Sequence, residues 1–293
     1  MRRWPALLLA AVLPLAACAP ASMGSPDSST SGPRVVAAFY PLQYAAEQVG
    51  GSAVSVTNLT QPGIEPHDLE LSAQQVGQIA DADLVLYVKG FQPAVDEAIA
   101  QQAPDRAIDV SAALSRLTLD GAADPHVWLD PANMSAIGTA IAERLASISP
   151  DDAAAFAKNS SALTAAMSTL SSEYADALKA CRTRTMVVSH DAFGYLAKAF
   201  GLTQVGISGL SPDAEPSPAR LREVADVVKS QNVDTIYYET LVDPKVAQTL
   251  ADETGATAAK LDPLEGLQPG ASGDYASVMR ENLTTLAKGQ GCT

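Results

Sequence analysis

The chain has 293 residues, a formal net charge of −14 at pH 7 and an isoelectric point near 4.5. A chain this acidic repels the phosphate backbone, so we expect no nucleic-acid partner. Its length corresponds to about two domains.

The N-terminus has the pattern of a bacterial lipoprotein signal. Two arginines precede an apolar stretch, and the sequence Leu-Ala-Ala ahead of Cys18 resembles a lipobox. We therefore predict a signal peptide over residues 1–17, lipidation of Cys18, and a flexible tether over residues 18–33. An ordinary secretory signal with a chance cysteine is the alternative. Lipidation would anchor the mature chain on the outer side of the cytoplasmic membrane, at the cell surface or in the periplasm.

The two other cysteines bracket the second half of the chain. If Cys18 carries lipid, Cys181 and Cys292 remain as an even pair in an oxidising compartment, which favours a disulfide. Two free thiols are the alternative.

The first half, residues 34–149, alternates between strand and helix patterns. Short runs rich in β-branched residues predict strands at 35–39, 54–59, 84–88 and 107–110. Helical patterns with caps and terminating glycines lie between and after them, at 41–49, 72–79, 93–102 and 132–147. This order predicts a parallel sheet covered by helices.

A long helix is predicted over residues 150–180. Its apolar positions recur at helical spacing, and neither glycine nor proline interrupts it after Pro150. At 1.5 Å per residue it would extend roughly 46 Å, which is enough to span two lobes. A coiled-coil arm is the alternative.

The second half, residues 181–293, repeats the alternation. Strands are predicted at 185–189, 204–207, 235–238 and 257–261, and helices at 192–200, 218–229, 244–254 and 275–288. The fold class is thus α/β, with two Rossmann-like lobes, each built on a parallel four-stranded sheet and joined by one long rigid helix.

The three histidines of the chain lie where a predicted strand ends and the chain turns towards a helix. They are His67 in GIEPHDLE, His126 in DPHVWLDP and His190 in VSHDAFG. Asp262 in KLDPLEG also follows a strand. Ligand sites in open parallel sheets form at this edge. Three imidazoles and one carboxylate suit tetrahedral zinc better than manganese, which prefers more oxygen ligands.

Other roles remain open for these residues and their neighbours. A single loop histidine is often an ordinary hydrogen-bonded residue. Asp68 and Asp191 each follow a histidine and could accept its free ring N–H, although both also fit helix or turn caps. Glu239, after the strand TIYYE, is an alternative fourth ligand.

The motifs in combination resemble the cluster A-I solute-binding proteins, which deliver zinc or manganese to ABC importers. The resemblance runs through VVAAFYPL, PHDLELSAQQVGQIADADLVLY, DPHVWLDP, HDAFGYLAKAFGL, ISGLSPDAEPSPARL, ETGA and LDPL. It implies two α/β lobes bridged by a long helix, and metal ligands at His67, His126, His190 and Asp262. Some members use water instead of the carboxylate. Zinc-binding members often carry a histidine-rich loop, which residues 111–124 lack.

We therefore predict a lipid-anchored, monomeric binding protein that captures Zn²⁺, with Mn²⁺ fitting less well, and passes it to the permease of an ABC importer. It would catalyse no reaction. One alternative is an extracytoplasmic zinc hydrolase with Glu239 as general base. The other is an adhesin that binds metal incidentally.

Overall fold

The computed structural model of the chain describes residue 1 and residues 32–293. The predicted signal peptide, the lipidation site at Cys18 and nearly all of the predicted tether lie outside these residues. None of the described helices is both long and apolar enough to cross a membrane.

The first lobe is a parallel sheet covered by helices. Its strands are β1 (Arg34–Ala37), β2 (Ser55–Asn58), β3 (Leu84–Tyr87) and β4 (Ala107–Asp109), in the spatial order β2-β1-β3-β4. The helices are α1 (Tyr40–Gly50), α2 (Ala73–Asp81), α3 (Pro93–Gln102) and α4 (Pro131–Ile148). Nearly all residues of the two central strands, β1 and β3, are buried, as expected for strands with helices on both faces of the sheet.

A small hairpin that we did not predict follows β4. It consists of β5 (Thr118–Leu119) and β6 (Ala122–Ala123), with positive φ angles at Asp120 and Gly121 in the turn. Asp-Gly at a two-residue turn is a strong hairpin signal, but strands of two residues are too short to show alternation. His126 lies three residues after the end of this hairpin.

The long helix α5 (Ala153–Ala177) follows a 3₁₀ turn at Pro150–Asp152. It packs against α1 and α4 of the first lobe, and its apolar stripe from Phe156 to Tyr174 is buried. The approach to α4 is close at Gly138, where a Cβ atom would lie 2.6 Å from the Leu163 side chain. A side chain there would require the Leu163 side chain to move.

The second lobe repeats the architecture. Its strands are β7 (Thr185–Val188), β8 (Thr203–Gly206), β9 (Thr235–Tyr238) and β10 (Thr257–Lys260), all parallel, in the order β10-β9-β7-β8. The helices are α6 (Gly194–Phe200), α7 (Pro218–Ser230), α8 (Lys245–Thr254) and α9 (Tyr275–Gly289). The predicted fold class of two such lobes and a long helix is confirmed.

One hydrophobic core cluster extends through both lobes, and a second, smaller cluster lies within the second lobe. Buried residues from β1, α5, β7 and α9 belong to a single packed cluster, represented by Val36, Leu163, Met186 and Met279. The hydroxyl of Tyr174 on α5 also donates a hydrogen bond of 2.6 Å to the carbonyl of Met279 on α9. Moving one lobe as a rigid body would therefore disrupt close packing, which opposes a wide hinge motion.

The predicted disulfide between Cys181 and Cys292 is confirmed, and it ties the C-terminus to the chain segment after α5. The bridge closes a loop with a sequence separation of 111 residues. Replacing both cysteines with serine should lower the free energy of unfolding by about 2 to 5 kcal/mol, because the unfolded chain regains the entropy that the bridge removes. Urea unfolding measures the loss.

Reduction of the native protein is the matched control for this double variant. A thiol reductant should destabilise the native chain by a similar amount and leave the double variant unchanged. Equal stability of the oxidised native protein and the variant would contradict the prediction.

Candidate metal centre

His67 lies in the loop that follows β2 in the first lobe. Its backbone N–H donates to Oε1 of Glu65 at 3.1 Å, which fixes the turn that carries it. Its ring packs edge-on against Phe91, with centroids 4.6 Å apart, and the side chain is 10% exposed. The histidine is thus held in place by packing on one side and reaches into the space between the lobes.

His126 follows the hairpin and begins the 3₁₀ turn at Val127–Leu129 that leads into α4. Oδ1 of Asp124 lies 2.9 Å from its backbone nitrogen and 2.8 Å from Nδ1 of its ring. The second lobe also contacts Asp124, because the Tyr195 hydroxyl on α6 donates to its carbonyl at 3.2 Å and Gly194 lies close to its carboxylate. With Nδ1 engaged, Nε2 of His126 is left for another contact.

His190 follows β7 in the second lobe and is held in the same way. Oε1 of Glu239, just beyond β9, lies 3.2 Å from its backbone nitrogen and 2.7 Å from its Nδ1. The rings of His126 and His190 are both fully buried. Each carboxylate therefore sets a ring orientation and a tautomer that turns Nε2 inward.

Glu265 completes the cluster. Its Oε1 lies 3.2 Å from Nε2 of His126, 3.2 Å from Nε2 of His190 and 3.4 Å from Nε2 of His67. The Nε2 atoms of His126 and His190 are 3.3 Å apart. One ligand atom from each of the four residues lies within 4.8 Å of all the others.

Asp262 does not belong to this cluster, which corrects the predicted fourth ligand. Its Oδ1 accepts a hydrogen bond from the backbone N–H of Leu264 and its Oδ2 accepts one from the Thr240 hydroxyl. Glu265 stands three residues later in the same KLDPLEG motif and takes the predicted place. Sequence reasoning chose the carboxylate nearest the strand end, whereas the chain first turns at Leu264, whose φ is 57°.

The predicted partners of the ring N–H groups also require correction. Asp68 does not contact the His67 ring, and its backbone N–H donates to Glu65 instead. Asp191 accepts from the backbone N–H of Gly206 and from the Gln204 side chain. Glu239, predicted as an alternative fourth ligand, lies outside the four-residue cluster, and its Oε1 is instead 2.7 Å from Nδ1 of His190.

Asp124 was missed by the sequence reasoning. It precedes His126 by two residues, a spacing at which one carboxylate oxygen can accept both the backbone and the ring N–H of the histidine. An aspartate two residues before a histidine, and not one directly after it, could therefore have identified the partner of the His126 ring.

The charges around the rings oppose the effect of burial. Burial alone lowers the pKa of His190, but the adjacent charges of Glu239 and Glu265 outweigh it and hold that pKa well above the usual value. The pKa of His126 is likewise lowered by burial and raised, on balance, by its hydrogen bonds to Asp124 and Glu265. Burial raises the pKa of Glu265, yet His190 and the other two histidines hold it well below its usual range. The opposite shifts have one cause, because each carboxylate favours a protonated imidazole and each protonated imidazole favours an ionised carboxylate.

A second acidic group lies beside the cluster. Glu65, Asp68 and Asp213 place carboxylate oxygens within 4.8 Å of one another, and two of the three are exposed. Burial, with the charge of Glu265, raises the pKa of Glu65 to about 7. These carboxylates make the outer side of His67 electronegative.

The fold and the cluster define a class of protein: two α/β lobes on a rigid helix, with a buried three-histidine, one-glutamate cluster between them. Residues 35–289 match the family described as zinc-uptake complex component A, periplasmic. The chain belongs to this family, whose members are solute-binding proteins and not enzymes.

Three known proteins illustrate the relationship. The chain is 33% identical to the high-affinity zinc uptake system protein ZnuA of Bacillus subtilis over 312 aligned positions, which cover 97% of each chain. It is 40% identical to the zinc-binding protein AdcA of Streptococcus pyogenes over 166 residues, 56% of this chain and 32% of AdcA. The chain thus spans only about a third of the AdcA relatives that it matches.

Among solved structures, the laminin-binding protein Lmb of Streptococcus agalactiae is similar over 88% of this chain and all of that one. The TM-score is 0.82 and the identity is 34%. That protein is described as bifunctional, with adhesin and metal transporting activity.

The shifted pKa values predict an unusual stability profile for the metal-free protein. The raised pKa of His190 gives stability that is fully present below the unfolded value of about 6.5 and is lost as pH rises through the folded value. The lowered pKa of Glu265 gives stability that is present above about pH 4.5 and is lost as pH falls through its folded value. Metal-free protein should therefore be most stable between these limits, and less stable at pH 8.5 than at about pH 6.

Thermal melts of chelator-treated protein measure this dependence, with the variant His190→Gln as control. The variant should lose most of the difference between the two pH values. The raised pKa of Glu65 also lowers stability as pH rises, so the variant Glu65→Gln measures how much of the pH dependence comes from this residue. Equal or greater stability of the metal-free protein at the higher pH would contradict the prediction.

Proposed function

We propose that this chain captures Zn²⁺ at His67, His126, His190 and Glu265 and delivers it to the permease of an ABC importer. The spacing of the four donor atoms is the main support. Zinc–nitrogen bonds of about 2.0 to 2.1 Å at tetrahedral angles require ligand atoms about 3.3 to 3.4 Å apart. Four of the six separations, those from Glu265 to each histidine and from His126 to His190, measure 3.2 to 3.4 Å and match it, and all six are within 4.8 Å.

The donor set favours zinc over manganese. Three imidazole nitrogens and a single carboxylate suit a borderline ion of tetrahedral preference, whereas Mn²⁺ prefers more oxygen ligands and water. Four protein donors also fill the tetrahedron. Catalytic zinc keeps an open position for water or substrate, so this arrangement supports binding and not hydrolysis.

The sequence and the relatives support a proposal for the location of this protein and for its partner. The family is described as periplasmic, and the AdcA relative of Streptococcus pneumoniae is named a zinc-binding lipoprotein. We propose that Cys18 carries the lipid, that residues 18–33 form the tether, and that the chain acts as a monomer beside its permease. The shared core of the two lobes supports release through local loop movement around the ligands instead of a wide opening.

Removal of one ligand should reduce zinc affinity more than 100-fold, since loss of an outer partner alone costs about 10- to 100-fold. His126→Ala and Glu265→Ala are the test variants, and competition against a chromophoric zinc chelator is the measurement. Glu143→Ala is the matched control because this glutamate is exposed on α4, away from the cluster. Native affinity in either ligand variant would refute the ligand set.

Transport is tested by deleting the gene and growing the cells under zinc limitation. Growth should fail, and it should return with the native gene or with extra zinc but not with the His126→Ala variant. The Lmb relative has adhesin activity as well, so adhesion is a second outcome to measure. Normal growth after deletion, in cells without another zinc importer, would contradict the transport role.

A further inference from the structure

The position of Glu265 depends on a turn that needs support. The chain leaves β10, passes Asp262 and Pro263, and reverses at Leu264, which is fully buried and has a φ of 57°. The left-handed conformation is unfavourable for a leucine, which lacks the freedom of glycine. Since Glu265 is the next residue, the reversal at Leu264 determines where its carboxylate lies.

Asp262 stabilises this reversal. Its Oδ1 accepts a 2.8 Å hydrogen bond from the backbone N–H of Leu264, which closes a turn two residues on. Its own backbone is fixed by Asn282 on α9, whose side chain accepts from Asp262 N at 2.9 Å and donates to its carbonyl at 2.6 Å. The Thr240 hydroxyl donates to Oδ2 at 3.2 Å.

The first lobe holds the same turn from the opposite side. Trp128, two residues after His126, donates its indole N–H to the carbonyl of Pro263 at 2.8 Å. Its own carbonyl accepts a 2.6 Å bond from the Tyr275 hydroxyl, and its ring lies edge-on to His126 with centroids 5.3 Å apart. One fully buried side chain therefore connects the surroundings of His126 to the turn that carries Glu265.

We propose that Asp262 and Trp128 are positioning residues, which hold the left-handed turn at Leu264 so that Glu265 lies against the three imidazoles before zinc arrives. We call residues 262–265 the Glu265 turn. This inference rests on the proposed function, because it assigns a role towards the same metal. Neither residue is one of the four proposed ligands, and Asp262 acts through Glu265.

The test is a double-mutant cycle on zinc affinity in the full mature chain. Asp262→Ala should weaken zinc binding about 10- to 100-fold, the usual effect of losing an outer partner of a ligand. In a Glu265→Ala background the same substitution should have almost no further effect, since the ligand that it positions is already gone. Asp262→Asn keeps an oxygen that can accept from Leu264 N and should restore most of the affinity.

Asp243→Ala is the matched control for this cycle. Asp243 also accepts from the backbone N–H two residues on, at 2.9 Å, but it lies exposed at the start of α8 and away from the cluster. The control should leave zinc affinity within about twofold of the native value in both backgrounds, as expected for distant sites.

Trp128→Phe provides a second variant should Asp262→Ala fail to fold. It removes the indole N–H but keeps an aromatic ring against Phe39 and Phe91. Zinc affinity should fall in the native background and not in the Glu265→Ala background. The sequence has one other tryptophan, Trp4, within the predicted signal peptide. Emission from Trp128 in the mature chain should therefore shift in Asp262→Ala and return in Asp262→Asn.

The outcomes separate this inference from the proposed function. If native protein and Asp262→Ala bind zinc equally, or if Asp262→Ala costs as much with Glu265 absent as with it present, the positioning role is wrong while zinc capture stands. If native protein does not bind zinc, or Glu265→Ala binds it with native affinity, the proposed ligand set itself fails.

Discussion

The site depends on bringing the carboxyl ends of two separate sheets together and keeping them there. His67 and His126 come from the first lobe, whereas His190 and Glu265 come from the second, so neither lobe holds more than half of the cluster. The separation between donor atoms tolerates errors of only a few tenths of an ångström if one ion is to contact all four. The shared hydrophobic core and the close contact between α4 and α5 at Gly138 supply the required rigidity.

Much of this architecture could be predicted from the chain because the signals are local. Alternating strand and helix patterns, caps and glycine stops predict the two sheets, and the positions of His67 after β2 and His190 after β7 place each at the carboxyl end of its own sheet. His126 instead follows the hairpin that was not predicted. The fourth ligand could not be obtained in this way. Asp262 and Glu265 are both carboxylates in one motif, and the choice between them depends on the left-handed turn at Leu264. Nothing in the side chain of a leucine indicates a positive φ angle.

The sequence likewise did not identify which carboxylates contact the ring nitrogens. Asp68 and Asp191 are adjacent to histidines in the chain, yet adjacent residues rarely have side chains directed to the same side. Asp124 and Glu239 contact the rings because the hairpin and the neighbouring strand β9 carry them there. The contact of Asp124 with His126 is local, two residues apart, whereas Glu239 reaches His190 from a position 49 residues away and leaves no sequence spacing that identifies it. Residue type limited the candidates, but packing decided among them.

The surrounding carboxylates also explain how a buried site can persist without its metal. Asp124, Glu239 and Glu265 surround three imidazoles in a space with little water, where unpaired negative charge would be costly. Positive charge on the rings is favoured beside these carboxylates, so the carboxylates raise the pKa of His126 and His190 against the effect of burial. In the proposed capture of Zn²⁺, the ion must displace any proton on a ligand nitrogen, since only neutral imidazole binds it. The proposed capture is therefore an exchange of Zn²⁺ for protons beside the same carboxylates, which requires no change in the charge of the surrounding scaffold.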